Sequence, residues 1–132
     1  MTMNMNNSAL KKGETTLIDI RDIRELWNEG TPKGAIHIPR GMLEFWLDPA
    51  SSYYEKNKIK EMKKIVLFCA LGLRSALATK SLMDMGFQNV AHVDGGFDAL
   101  KKNGFNIVKK KKTAQLVINF MVTVKSSQNL IA

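Results

Sequence analysis

The chain has 132 residues, 45% hydrophobic and 24% charged, with a formal net charge of +8. That composition excludes global disorder and a fibrous repeat and leaves room for one domain with one core. The charge is uneven: all 12 acidic residues precede residue 100, against 13 Lys plus Arg there, while residues 101–132 hold seven Lys and no acid.

Residues 1–14 are polar and Asn-rich, and are expected to form a flexible amino-terminal segment with a short helix around 7–12. Residues 16–20 (TLIDI) form a β-branched apolar run that predicts a buried strand. Residues 22–29 follow as a helix with Ile23, Leu26 and Trp27 on one face, ended by Gly30. Residues 31–34 (TPKG) read as a turn, and residues 35–38 as a second strand stopped by Pro39. Residues 41–47 predict a compact apolar helix closed by Asp48-Pro49, and residues 54–62 an amphipathic one.

Residues 65–69 (IVLFC) are the strongest strand signal, an unbroken apolar run that fits burial on both faces of a parallel sheet. After a loop at 70–73, Ser75 is placed to cap a helix running to Met85, with Ala78, Leu82 and Met85 inward and Gly86 as its stop. Residues 89–93 predict a further strand, Gly95-Gly96 a turn, and residues 97–102 a last helix before Gly104. Alternating strands and helices argue an α/β domain, a small parallel sheet with helices on both faces and right-handed crossovers.

The tail departs from that pattern. Residues 109–112 are four lysines, read as a solvated charge run. No aromatic residue is interleaved with them as a stacking platform, so no specific nucleic-acid partner is expected. Residues 114–124 are apolar and β-prone, fitting a partner-binding segment or an appended sequence better than an extra strand. Their most apolar part, residues 116–124, is well short of the ~20 residues that cross a bilayer. No membrane span is therefore expected. The first eight residues lack the charged start and apolar core of a secretory signal, so the expected location is cytoplasmic.

Chemistry points to one residue. Cys69 is the single cysteine, so no internal disulfide can form, and one Cys with His37 and His92 makes a poor zinc set. A structural zinc site is therefore not expected. Cys69 ends the most buried strand, at the sheet edge where open α/β folds place their ligand crevices. The segment Cys69-Ala70-Leu71-Gly72-Leu73-Arg74-Ser75 then leads into a helix amino terminus, where unpaired N–H groups favour negative charge. With Gly72 the loop can curl its N–H groups inward as an anion nest, and Arg74 adds a cation. Such surroundings lower a thiol pKa. The bland alternative is a small buried hydrophobe ending a strand; the Gly72, Arg74 and Ser75 spacing favours an activated thiolate.

The sequence resembles the single-domain rhodaneses, the thiosulfate sulfurtransferase family. Cys69-x-x-Gly72-x-Arg74-Ser75 is similar to that family's active-site loop. Leu17-Ile18-Asp19-Ile20-Arg21 and Gly34-Ala35-Ile36-His37-Ile38-Pro39 match its early motifs, and Met85-Gly86-Phe87 through Val93-Asp94-Gly95-Gly96-Phe97 the segment after the active-site helix. Residues 40–48 (RGMLEFWLD) look like a subgroup of bacterial members. The likeness spans about residues 16–108, which places the domain at 15–108 and the basic, then apolar, tail at 109–132.

The resemblance implies a sulfurtransferase and implies no metal or organic cofactor. Cys69 as thiolate would take the outer sulfur of thiosulfate or another persulfide donor, and the Cys69 persulfide would pass it to cyanide or to an acceptor thiol on a small molecule or a thioredoxin-like protein. Cys69 and Arg74 are the implied catalytic residues, and Ala70, Leu71, Gly72, Leu73 and Ser75 the substrate-binding ones, with the loop N–H groups stabilising the negative persulfide. Asp19 and Arg21 would be structural. The alternative is a carrier or protein-binding module with little turnover on free thiosulfate.

Two departures stand out. Many members carry a basic residue directly after the cysteine, where this chain has Ala70, so one cation near a sulfonate is missing. Arg40 and Lys33 are candidate replacements, though a helix-flanking role suits Arg40 better. The usual Gly-His-Ile-Pro-Gly-Ala turn is Gly30-Thr31-Pro32-Lys33-Gly34-Ala35 here, a tolerable surface change. Cysteine phosphatases need Cys-x5-Arg to enclose a phosphate, and the Cys69–Arg74 spacing is one residue short. His37 and His92 read as structural, Trp27, Phe45 and Trp46 as core or pocket wall, and the methionines as gap-fillers.

Overall fold

A computed structural model describes residues 2–3, 14–56 and 59–110. The expected helix at 7–12 and the apolar segment at 114–124 lie outside the described residues.

Five parallel strands make the main sheet, in the order β1-β6-β5-β2-β4. They are β1 (Thr2–Met3), β2 (Thr15–Asp19), β4 (Ile36–His37), β5 (Lys64–Phe68) and β6 (Val90–Val93). Register runs Ile18↔Leu67 between β2 and β5 and Leu67↔His92 between β5 and β6. A two-stranded antiparallel ladder of β3 (Thr31–Pro32) and β7 (Ile107–Val108) was not anticipated.

Alternation along β5 builds a core on each face of the sheet. Ile65, Leu67 and Cys69 enter one cluster with Ile18, Ile38, Leu43, Ala78 and Leu82. Val66 and Phe68 enter the other with Leu17, Val93, Phe97, Leu100 and Phe105. The period of two is that of a pleated strand, and burial on both sides is what the unbroken apolar run required. The predicted α/β architecture with helices on both faces is the observed one.

Helix α1 (Ile23–Glu29) starts with a capping box: Asp22 accepts from the Arg24 amide at 2.9 Å, and Glu25 accepts from the Asp22 amide at 2.9 Å. Gly30 ends it with φ +85°, and a Cβ there would lie 2.7 Å from Ile107 Cγ2. Only glycine lets β7 approach so closely.

Several element predictions are corrected. The helix expected at 41–47 opens as a 3-10 turn (Arg40–Met42), and its α-helical part, α2, is Leu43–Leu47. The helix expected at 54–62 is a short α3 (Ser52–Lys56) and a 3-10 turn (Ile59–Glu61). Helix α4 (Leu73–Asp84) is capped by Gly72 at φ +108°, not by Ser75, which lies inside its first turn and is fully buried. The inward stripe of α4 is Ser75, Ala78, Thr79 and Leu82, while Met85 is exposed. Phe45 is 52% exposed, so it is not a core residue. Trp46 is half-buried and stacks on Tyr53. Helix α5 is Gly96–Lys102.

Asp19 and Arg21, both fully buried, close the carboxyl end of β2. The guanidinium donates through Nε and Nη2 to both Asp19 carboxylate oxygens, at 3.0 and 2.8 Å, and through Nη2 to the Gly30 carbonyl at 2.7 Å. Thr31 Oγ1 adds a hydrogen bond to Asp19, and the Arg21 guanidinium lies 4.1 Å from the Phe97 ring centroid. This network ties β2, the end of α1 and the start of α5 together. Among the described residues no helix is long and apolar enough to cross a membrane.

Candidate active site

Cys69 follows β5 directly, and the chain turns there because Gly72 and Gly96 allow it. Gly72 adopts φ +108° and lets α4 begin at Leu73. Gly96 adopts φ +60°, and a Cβ on it would fall 2.4 Å from the Cys69 carbonyl oxygen. That contact leaves room for the first amides of α5 to cap the loop: Phe97 N–H donates to Cys69 O at 2.8 Å and Asp98 N–H to Ala70 O at 3.4 Å. Loop carbonyls are thus turned away and loop amides inward.

The thiol is 1% exposed and sits among donors. The Gly72 and Ser75 amides point at Sγ from 3.2 and 3.4 Å, and Ser75 Oγ lies 3.5 Å from it. Burial alone would push the Cys69 pKa up, but the Ser75 hydroxyl and the amides of Ser75, Gly72 and Leu71 overcome that and hold it below the ordinary thiol value. All of these donors favour the anion.

Of the residues singled out from sequence, Cys69, Leu71, Gly72 and Ser75 converge on the sulfur. Ser75 contributes both hydroxyl and amide from within the helix rather than as its cap. Ala70 is half-buried and contributes its carbonyl to the α5 cap. The side chains of Leu71 and Leu73 are 66% and 80% exposed, and with Leu77 one turn on they make the rim of the site apolar.

Arg74 turns toward α1, where its guanidinium donates to both Glu25 carboxylate oxygens at 2.9 and 3.0 Å. Glu25 raises the Arg74 pKa, burial opposes this, and Cys69 raises it further. Arg74 therefore braces the loop while its positive field still reaches the sulfur.

Neither candidate for the missing loop cation faces the thiol. Lys33 precedes β4 and so lies at the amino edge of the sheet, opposite Cys69. Arg40 follows β4 at the correct edge but pairs with Glu44, and its Nη2 lies 3.4 Å from Ser81 Oγ.

Three residues near the cysteine escaped the sequence reading of the site. Glu25 holds Arg74 from another helix, Gly96 makes room for the loop, and His92 Nδ1 lies 3.1 Å from Ser75 Oγ. The Gly95-Gly96 pair was the one legible sign, because two adjacent glycines invite a close backbone approach. His37 matches its structural reading, with Nε2 donating to the Arg21 carbonyl at 2.7 Å.

Residues 4–103 match the model of the rhodanese-like domain. A curated tRNA uridine(34) hydroxylase of Hamiltonella defensa is 33% identical over 90 residues, 68% of this chain and 24% of that protein. The chain thus spans about a quarter of the length of the first curated relatives it matches. A solved Rhodopseudomonas palustris protein of unknown function, described as a possible tyrosine phosphatase, is 47% identical with a TM-score of 0.69, over 76% of this chain and 77% of its own. A human single-domain sulfurtransferase is 25% identical with a TM-score of 0.61, over 77% of this chain and 94% of its own. The chain belongs to the rhodanese-like family.

Proposed function

We propose that this rhodanese-like chain moves sulfane sulfur through a persulfide on Cys69. Family membership supports sulfur transfer in general; the cradle of Leu71, Gly72 and Ser75 amides around Sγ is the observation that carries the assignment to this thiol. The Cys69 thiolate attacks the outer sulfur of a donor such as thiosulfate. The donor S–S bond breaks, sulfite leaves with the electron pair, and Cys69 holds the transferred sulfur. An acceptor thiolate or cyanide then attacks that sulfur, the Cys69 S–S bond breaks, and the thiolate is restored. The amides that favour the thiolate also suit the persulfide anion, a preorganised arrangement of the oxyanion-hole kind.

Phosphate-ester chemistry fits less well. Arg74 follows Cys69 after four residues, one fewer than a phosphate-enclosing loop needs, and it is engaged by Glu25. The tRNA chemistry named for the curated relatives belongs to proteins of which this chain spans about a quarter, and is not carried over.

A carrier or protein-binding role is the second reading, favoured by the rim. Leu71, Leu73 and Leu77 are exposed apolar side chains around the mouth, residues 69–73 carry no charge, and Arg74 is already paired. Such a mouth suits a thiol presented on an apolar protein surface better than a free dianion.

The test is intact-protein mass spectrometry before and after thiosulfate, with Cys69→Ser as control. A gain of one sulfur atom, reversed by cyanide and absent from the variant, is expected. Absence of loading from thiosulfate, with loading from a protein persulfide, selects the carrier reading. Absence of loading from either, in folded protein with a titratable thiol, overturns both.

A further inference from the structure

Among the described residues, His92 is the one buried titratable group beside the cysteine that the sulfur-transfer steps leave unused. It lies on β6 at 7% exposure, with Nδ1 3.1 Å from Ser75 Oγ, which is itself 3.5 Å from Cys69 Sγ. Three side chains from β6, α4 and the end of β5 therefore form a continuous buried chain, sulfur to hydroxyl to imidazole. Cε1 of the same ring sits beneath Gly72, 4.0 Å from where a Cβ there would stand. A Cβ at residue 72 would make ordinary van der Waals contact with the histidine.

We propose that His92 is a positioning residue that receives the Cys69 proton through the Ser75 hydroxyl. One hydroxyl cannot donate in both directions, so the state of the imidazole and the state of the sulfur are linked. When Nδ1 is unprotonated it accepts from Ser75, leaving the Ser75 oxygen to accept from the Cys69 thiol. When Nδ1 carries a proton it donates to Ser75, and the hydroxyl donates to the thiolate. Passage between the two breaks the S–H bond and moves that proton to Ser75 Oγ while the serine proton moves to Nδ1. The products are thiolate and imidazolium, with no change of oxidation state.

Arg74 favours the thiolate from the loop. Burial, first, disfavours the imidazolium, while Asp94 favours it.

The inference rests on Cys69 as the reacting thiol, and its test reads that thiol directly, without any sulfur donor. Iodoacetamide alkylation of Cys69 is followed against pH in the full chain, its His92→Gln and Ser75→Ala variants, and the double variant. Glutamine keeps a hydrogen-bonding side chain near Ser75 but cannot take a proton. In His92→Gln the midpoint of the rate profile should rise by about one pH unit, so the rate at neutral pH falls roughly tenfold while the alkaline plateau is unchanged. The double variant should be no slower than Ser75→Ala alone.

A His92→Gln profile that overlays the wild type, or is depressed equally at every pH, overturns the proposal. If His92→Gln fails to fold, the wild-type chain decides: at neutral pH the nitrogen-15 shift of His92 Nδ1 should lie closer to the protonated value than in Cys69→Ser, which has no thiol proton to give. Equal shifts in the two chains overturn it. A relay found in a chain that loads no sulfur leaves this inference standing and defeats the transfer reading; loading without a relay does the reverse.

Discussion

Arg74 meets Glu25 fork to fork across two helices, at 2.9 and 3.0 Å, and that pairing decides how much positive charge the cysteine loop presents. The same Glu25 accepts from the Asp22 amide, so one carboxylate both closes the start of α1 and braces the start of α4.

Glu25→Gln should therefore raise reactivity rather than lower it. Glutamine at this position preserves the capping box, but Arg74 loses its counter-charge and its full field reaches Sγ. Thiosulfate loading and Cys69 alkylation at neutral pH should increase, by up to roughly fivefold, the ceiling set by an exposed ion pair of about 1 kcal/mol. Stopped-flow alkylation checks this; slower reaction would mean that Glu25 acts by holding Arg74 in place. Arg74 holds the Glu25 pKa below the usual carboxylate value. The pair's stabilisation is present above the ordinary Glu pKa and fades as pH falls through the lowered one.

The thiol makes stability depend on pH in the opposite range. Its folded pKa lies below the ordinary value because the Ser75, Gly72 and Leu71 donors outweigh burial. The unfolded chain therefore binds more protons between the two values, and stability rises with pH there. Urea denaturation of the wild type should show a margin over Cys69→Ser that widens as pH approaches about 8.5 and shrinks as pH falls through the folded value. A margin independent of pH would remove the anion-stabilising role of the loop.

Two glycines with similar backbone signs separate strain from close approach. Gly34 has φ +87° and open space around it, so Gly34→Ala should cost about 1 kcal/mol. Gly96 adds a Cβ position 2.4 Å from the Cys69 carbonyl oxygen and 2.7 Å from Ala70 backbone atoms, which cannot yield without moving the loop. Gly96→Ala should lose on the order of 3 kcal/mol and slow Cys69 alkylation, whereas Gly34→Ala leaves alkylation untouched. Chemical denaturation and alkylation rates measured together distinguish the two.

Breaking the Asp19–Arg21 fork should damage the fold more than any surface pair. Both side chains are fully buried, and Asp19→Asn leaves a guanidinium in the core without its carboxylate. A loss of about 3–5 kcal/mol is expected. Thermal melts would register it, and a loss below about 1 kcal/mol would show that the Gly30 carbonyl, the Glu29 carboxylate and the Phe97 ring suffice to hold Arg21.

Truncation tests the carboxyl boundary. We propose that a chain ending at residue 110 keeps its melting temperature and sulfur loading. One ending at residue 103 should melt lower, because it deletes the buried Phe105 and the β7 strand that pairs Thr31↔Val108 and Pro32↔Ile107. Equal melting of both chains would show that the β3–β7 ladder is not required.

Much of this molecule was legible in one dimension. The unbroken apolar run at 65–69 had to be a strand buried on both faces, and the Cys69, Gly72, Arg74, Ser75 spacing marked a loop whose amides curl toward the sulfur. Capping by Ser75 was misread for a physical reason: a serine near a helix start is ordinarily a cap, but Gly72 at φ +108° starts α4 early and draws Ser75 into the core. Phe45 was misread because helical spacing predicts one buried face, and α2 is too short and too near the surface to bury it.

Local patterns of hydrophobicity, glycine and charge therefore determined the α/β class, the strand that carries the cysteine and the thiol itself. Tertiary structure alone decided what surrounds that thiol. Ser75 meets His92 17 residues away, Arg74 meets Glu25 49 residues away, and Gly96 makes room for the Cys69 carbonyl from the far side of β6. Parallel strands require long crossovers, so neighbours at the carboxyl edge of the sheet come from distant segments. No local pattern records which residues those crossovers bring together.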